Sequence, residues 1–226
     1  MCVHTVALVA TSASKLGEHD TGLWLEELAC PYYEFESAGF EIIIASPMGG
    51  AVPIDAASMQ TAFFTEPAKK FMHDATAIGK LSHSIKVSDL DLDSLDALFM
   101  CGGHGTCSDF INQPSLKNAI ETCFNRNNVV AAVCHGPMCL TDCVKADGSP
   151  LVSGFNVTGF TNTEEEAVQL TGIVPFLLED KLKELGGNYE RADDWNSKVV
   201  VDRNLVTGQN PQSSEECAKA VIASLA

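Results

Sequence analysis

The chain has 226 residues, 46% of them hydrophobic, which is enough for one sizeable core and short for two. Thirty acidic residues against 14 basic give a formal charge of -16. That balance argues against a nucleic-acid partner, because phosphate binding needs clustered Lys and Arg. No run approaches the ~20 apolar residues of a membrane span, so no membrane partner is expected.

In chain order, Val3 to Thr11 reads as a first buried strand, and its start lacks the basic region of a signal peptide. Leu23 to Leu28 is amphipathic and helical. Pro31 interrupts it, and Tyr32 to Ala38 restarts a helix that Gly39 caps. Phe40 to Ala45 is a second strand. Residues 46 to 86, rich in Pro and Gly, read as an insertion or cap with one short helix near Pro67 to Ile78. Leu95 to Met100 is a third strand that ends in Cys101-Gly-Gly-His-Gly105.

Pro114 opens a helix through Asn125. Val129 to Val133 is a β-branched run that stops abruptly at Cys134-His-Gly-Pro137, and a helix to about Val144 follows it. Asn156 to Phe160 is a short strand, and Thr163 caps a helix over Glu164 to Leu170. Pro175 to Leu185 is an amphipathic helix closed by Gly186 and Gly187. Lys198 to Val201 and Asn204 to Thr207 form a hairpin, with Asp202-Arg203 at the turn. Ser213 or Ser214 caps a last helix. Alternating strands and helices imply an α/β sandwich on a mainly parallel sheet, and no linker divides residues 1–226, so one domain is expected.

Nine cysteines, an odd number partly set within apolar runs, argue for reduced core thiols rather than a disulfide framework. The compartment they imply is the cytoplasm, with the nucleus compatible. Cys134 stands apart from the others. A cysteine at the carboxyl end of a buried strand, turning into a helix N-terminus, has the mechanics of a nucleophile elbow. The turn should expose it and favour its thiolate.

Three loops converge on Cys134 if the sheet is built this way. In the first, the N–H groups of Gly102, Gly103 and His135 could form an oxyanion hole. The second, Gly159-Phe-Thr-Asn-Thr-Glu-Glu-Glu166, could supply a carboxylate that orients His135. In the third, Thr21-Gly-Leu-Trp-Leu-Glu-Glu27, a partly buried glutamate would have a raised pKa suited to proton transfer. Metal ligation by His19, Asp20, His73, His83, Cys139 or Cys143 is disfavoured, because no compact ligand spacing appears.

Ala131-Ala-Val-Cys-His-Gly-Pro137, Gly103-His-Gly-Thr106, Thr21-Gly-Leu-Trp-Leu-Glu-Glu27 with Pro31, Gly159-Phe-Thr-Asn162 and Thr207-Gly-Gln-Asn-Pro211 resemble the ThiJ/PfpI superfamily. Within it they resemble the stress-chaperone branch of glutathione-independent glyoxalase III enzymes. The resemblance implies a flavodoxin-like three-layer α/β sandwich and a homodimer. It places the nucleophile on Cys134, its histidine on His135 and the triad acid on Glu165, or on Glu164 or Glu166 if the turn differs by one. It puts a buried glutamate on Glu27 and pocket residues on Gly103 and His104.

The reaction implied converts methylglyoxal, a small ketoaldehyde, to lactate through a hemithioacetal on Cys134, with no cofactor and no metal. Either Glu27 or His135 moves the proton. Adjacent residues in a helix do not face each other, so His135 serves Cys134 only if the elbow is strained. Three other readings remain open: a holding chaperone or oxidation sensor, a deglycase, and an amidase or peptidase using the same triad.

Overall fold

The structure is a computed structural model that describes residues 3–226; Met1 and Cys2, one of the nine cysteines, lie outside the described residues. Its main sheet has strands β1 (Thr5–Val9), β2 (Glu41–Ser46), β3 (Ile85–Lys86), β4 (Ala97–Met100), β5 (Val129–Val133), β6 (Val199–Asp202) and β7 (Leu205–Gly208). They lie in the order β6-β7-β5-β4-β1-β2-β3. All neighbours run parallel except the β6–β7 hairpin. Every residue of β4 and β5 is buried, as both faces of a helix-covered parallel sheet require.

From β1 the chain steps to β2 on one side and later to β4 on the other. The carboxyl ends of β1 and β4 therefore flank the crevice where ligands of such sheets bind. Helices α1 (Glu26–Ser37) and α7 (Ser214–Ser224) pack together on the sheet, and α4 (Pro114–Asn125) packs on β4 and β5. The fold is the flavodoxin-like α/β sandwich implied by the sequence, with an extra edge strand, β3, that the sequence does not suggest.

Several boundaries differ from expectation. Pro31 does not divide α1, which runs unbroken through it. The loss there is one backbone hydrogen bond, and the buried flank of Leu28, Tyr32 and Phe35 keeps the helix on the sheet. The helix expected near Pro67 is two helices, α2 (Glu66–His73) and α3 (Ala75–Ser82). Asp74 separates them, with an extended backbone and a side chain that caps α3 through the N–H groups of Thr76 and Ala77.

After Cys134 the chain forms a 3-10 helix, Gly136–Asp142, in place of an α-helix. Thr161, not Thr163, caps α5 (Asn162–Ala167) through a capping box with Glu164. The strand near Asn156 is only Asn156–Val157, and the helix after Pro175 is the shorter α6 (Leu178–Glu184). The final helix starts where expected, but Ser213 makes no side-chain cap bond to it.

Candidate active site

β5 ends against its neighbours, and this fixes the elbow. The Cys134 N–H donates to the Gly208 carbonyl (2.9 Å), and the Cys134 carbonyl accepts from Phe160 (3.0 Å). Between these anchors Cys134 has φ +58°, a left-handed conformation that residues with a Cβ seldom adopt. Gly136 lets the turn close: a Cβ there would sit 2.4 Å from the Met100 carbonyl oxygen.

Because the elbow is not helical, neighbouring side chains converge. Cys134 Sγ lies 3.4 Å from His135 Nδ1. His135 Nε2 lies 2.7 Å from Glu165 Oε2, and His104 Nε2 lies 2.8 Å from Glu165 Oε1. Burial opposes the Glu165 charge, but His135 and His104 outweigh it and pull its carboxyl down to about 2. An ionised Glu165 only accepts hydrogen bonds, so both histidines donate from Nε2. The His135 Nδ1 lone pair is then left facing sulfur. Burial, with His104 nearby, pushes the His135 pKa down to about 4 against the attraction of Glu165, so the ring is neutral at physiological pH.

Glu27, in the first turn of α1, is completely buried. Its Oε2 accepts from the Gly102 N–H (2.8 Å), while Oε1 is buried without a hydrogen-bond partner. Burial raises the Glu27 pKa to about 8; the Cys134 thiol and the Gly102 N–H oppose that rise. Burial and the Glu27 carboxyl in turn push the Cys134 thiol well above its usual value.

Cys134 is thus 4% exposed and not a surface thiolate, contrary to the sequence-based expectation. A short 3-10 helix does not offset burial next to a carboxyl group. No aligned hydrogen bond joins the thiol to Glu27 in this geometry. Even so, each group shifts the other, so the first proton lost belongs to the pair.

Gly102 is not free to serve an oxyanion hole, contrary to the expectation from sequence. The Gly102 N–H is occupied by Glu27, and a Cβ on Gly102 would lie 2.5 Å from that carboxylate oxygen. Gly102 therefore seats Glu27, while the His135 N–H faces the sulfur and Gly103 lines the same cavity as Cys134. Glu164 and Glu166 do not reach His135. Glu166 is exposed, and Glu164 is buried in its own hydrogen-bond network, which reaches Gln209 and Asn210.

Cys134, Glu27, Gly103 and His104 line one cavity of about 590 Å³. Its remaining walls include Trp24, Phe63, Phe160 and Trp195, which sequence reasoning did not place there. Phe160 lies inside the Gly159-Phe-Thr-Asn162 motif. Trp195 sits in a polar loop and carries no local signal of its position. His104, His135 and Glu165 also present donor atoms within 4.8 Å of one another, a spacing that could hold a metal ion. They come from two separate turns and helix α5, so sequence spacing did not reveal them. Of the metal candidates raised from sequence, His73 and His83 face carbonyls of their own helices, the Cys139 and Cys143 thiols donate to the carbonyls of Gly136 and Cys139, and Asp20 pairs with Lys15.

A cysteine on a strained elbow, backed by histidine and glutamate in a parallel α/β sandwich, defines a nucleophile-elbow protein. More particularly, the chain belongs to the DJ-1/PfpI family, whose model matches residues 21–224. It is 32% identical to Glyoxalase 3 of Candida albicans over 211 residues, covering 90% of this chain and 89% of that protein. The crystal structure of glyoxalase III from Candida albicans superposes with a TM-score of 0.91 at 30% identity, over 98% of this chain and 97% of that one. Rapid Encystment Protein 24 kDa of Francisella tularensis superposes with a TM-score of 0.95 at 37% identity, over 99% of this chain and 100% of that one.

Proposed function

We propose that this chain is a glutathione-independent glyoxalase of the glyoxalase III type, a hydro-lyase that makes lactate from methylglyoxal and water. The observation that carries this reading is Glu27: a buried carboxyl next to Cys134, with one oxygen fixed by Gly102 and the other unpartnered. The Candida albicans relative, Glyoxalase 3, supports the same activity by its name.

Sulfur attacks the aldehyde carbon, forming a C–S bond, while the Glu27 carboxylate takes the thiol proton. Glu27 returns that proton to the former carbonyl oxygen, which gives a hemithioacetal. The free carboxylate then removes the hydrogen from the same carbon, the electron pair moves into an enediol, and protonation at the adjacent carbon leaves a thioester. Water attacks the thioester carbonyl and expels the thiolate with lactate. No electrons leave the substrate, so no redox cofactor is required.

His135, held by Glu165 with His104 on the other oxygen, keeps an acceptor at Nδ1 toward the sulfur and suits orientation and the hydrolytic step. The N–H groups of Gly103 and His135 receive the oxyanion. Residues 46 to 86 serve as the cap of a single domain. Eight buried free thiols support a reducing compartment, the cytoplasm, with the nucleus compatible. The resemblance supports a homodimer.

Lactate formation from methylglyoxal without glutathione tests the reading. Wild type forms lactate, and Cys134→Ala falls to the buffer rate. Full activity in Cys134→Ala would refute it.

A further inference from the structure

The cavity over Cys134, at about 590 Å³, is large for methylglyoxal, which carries only a methyl group beyond its two carbonyls. Cavities of ~300–1,000 Å³ ordinarily enclose ligands of drug size. The surplus space is walled by aromatic rings. Trp24 and Phe63 meet edge to face, with centroids 5.3 Å apart. Phe160 lies against the His135 ring at 4.4 Å, and Trp195 meets Phe160 at 5.9 Å. An aromatic surface therefore runs outward from the residue next to the nucleophile. Trp195 and Phe63 keep 40% and 44% exposure while lining the cavity, so ring surface remains free for a ligand.

Trp195 is placed there at a conformational cost. Its φ is +63°, a region that a bulky side chain adopts only where the surroundings fix it. The fixing group is Glu164. This fully buried carboxylate accepts from the Trp195 N–H at 2.9 Å, from Gln209 Nε2 at 3.1 Å and from Asn210 Nδ2 at 2.8 Å. Its other oxygen accepts from the N–H and hydroxyl of Thr161. Neighbours Asp193, Asp194, Asn196 and Ser197 are polar, so the loop gives no hydrophobic reason for an indole at this point. The hydrogen bonds of the buried Glu164 carboxyl, next in sequence to Glu165, offset that strain and hold the indole at the cavity.

We infer that this site takes α-oxoaldehydes bearing an aryl or similarly flat apolar substituent in preference to methylglyoxal, with Trp195 as a specificity-determining residue. The inference rests on the glyoxalase reading and names its substrate class. With phenylglyoxal the same bonds form and break: sulfur adds to the aldehyde carbon, the proton moves to the adjacent carbon, and water releases mandelate. A flat ring offset against Trp195 or Phe160 is held by stacking and burial that a methyl group does not supply.

The test compares kcat/KM for phenylglyoxal and methylglyoxal, without glutathione, in wild type, Trp195→Ala and Trp195→Phe. Wild type should favour phenylglyoxal by about tenfold or more. Trp195→Ala should lower that ratio about tenfold, mainly through the phenylglyoxal KM, and Trp195→Phe should restore most of it. If Trp195→Ala does not fold, Phe63→Ala on the other aromatic pair reads the same ratio. A wild-type ratio at or below unity overturns the inference and leaves the proposed function standing, provided methylglyoxal is consumed. A ratio unmoved by the substitutions removes Trp195 from specificity. If neither aldehyde is consumed, the proposed function fails and this inference falls with it.

Discussion

Replacing Glu27 by glutamine separates catalysis from the stability cost of burying a carboxyl. Burial raises the Glu27 pKa from 4.5 to about 8. Between those values the folded protein keeps a proton that the unfolded chain releases. The protonated carboxyl's stability is therefore fully present below 4.5 and is lost as pH rises toward 8. Integrated from about pH 5 to about pH 8, that loss is on the order of 3 kcal/mol. Glutamine keeps an acceptor for the Gly102 N–H and does not titrate. In urea unfolding, Glu27→Gln should gain on wild type by on the order of 3 kcal/mol more at about pH 8 than at about pH 5. The same variant should lose about 10²–10⁴-fold in kcat. A stability difference that stays constant across this pH range would refute the buried, proton-holding carboxyl and the shuttle built on it.

The remaining predictions concern the same constellation. Wild-type kcat/KM should rise about tenfold per pH unit up to about 8, where the Cys134–Glu27 pair loses its first proton; a plateau already reached at acidic pH would contradict this. Glu165→Gln leaves an amide that cannot accept from both His104 and His135, so one imidazole loses its partner. Steady-state kinetics should show kcat down by about 10³-fold or more, and a change under about threefold would remove Glu165 from the site. Gly136→Ala puts a Cβ 2.4 Å from the Met100 carbonyl. Thermal unfolding should show a destabilisation of about 3 kcal/mol or a failure to fold, and wild-type stability would mean that the elbow is not as tight as described.

The parts legible in sequence are those whose cause is local. The apolar run from Val129 to Val133 has to be a buried strand, and His-Gly-Pro after Cys134 forces a turn at its end. Pro31 misled because its local cost is real, but packing of α1 on the sheet outweighs it. A buried glutamate with a raised pKa at Glu27 was expected, but the burial of Cys134 itself was not legible, since it depends on α1 bringing Glu27 across to the end of β5. Glu165 could be assigned only through a motif. Three consecutive glutamates look alike until the capping box at Thr161 turns Glu164 into its own network and Glu165 toward His135. Trp195 and Phe63 were beyond reach because each is a single aromatic residue whose position is set by distant groups, the Glu164 carboxylate and Trp24.

The central claim is a covalent hemithioacetal on Cys134 whose proton Glu27 must remove. Carbon-13 NMR of Glu27→Gln mixed with methylglyoxal enriched at its aldehyde carbon tests it most directly. Thiol addition to the aldehyde is net proton-neutral, so Glu27 speeds it without setting its equilibrium, whereas the later C–H removal has no base without Glu27. After long incubation the account predicts an enzyme-bound hemithioacetal signal that accumulates in Glu27→Gln, disappears in the Glu27→Gln, Cys134→Ala double variant and gives way to lactate in wild type. No bound signal in Glu27→Gln, or the same signal after Cys134 is removed, would contradict it.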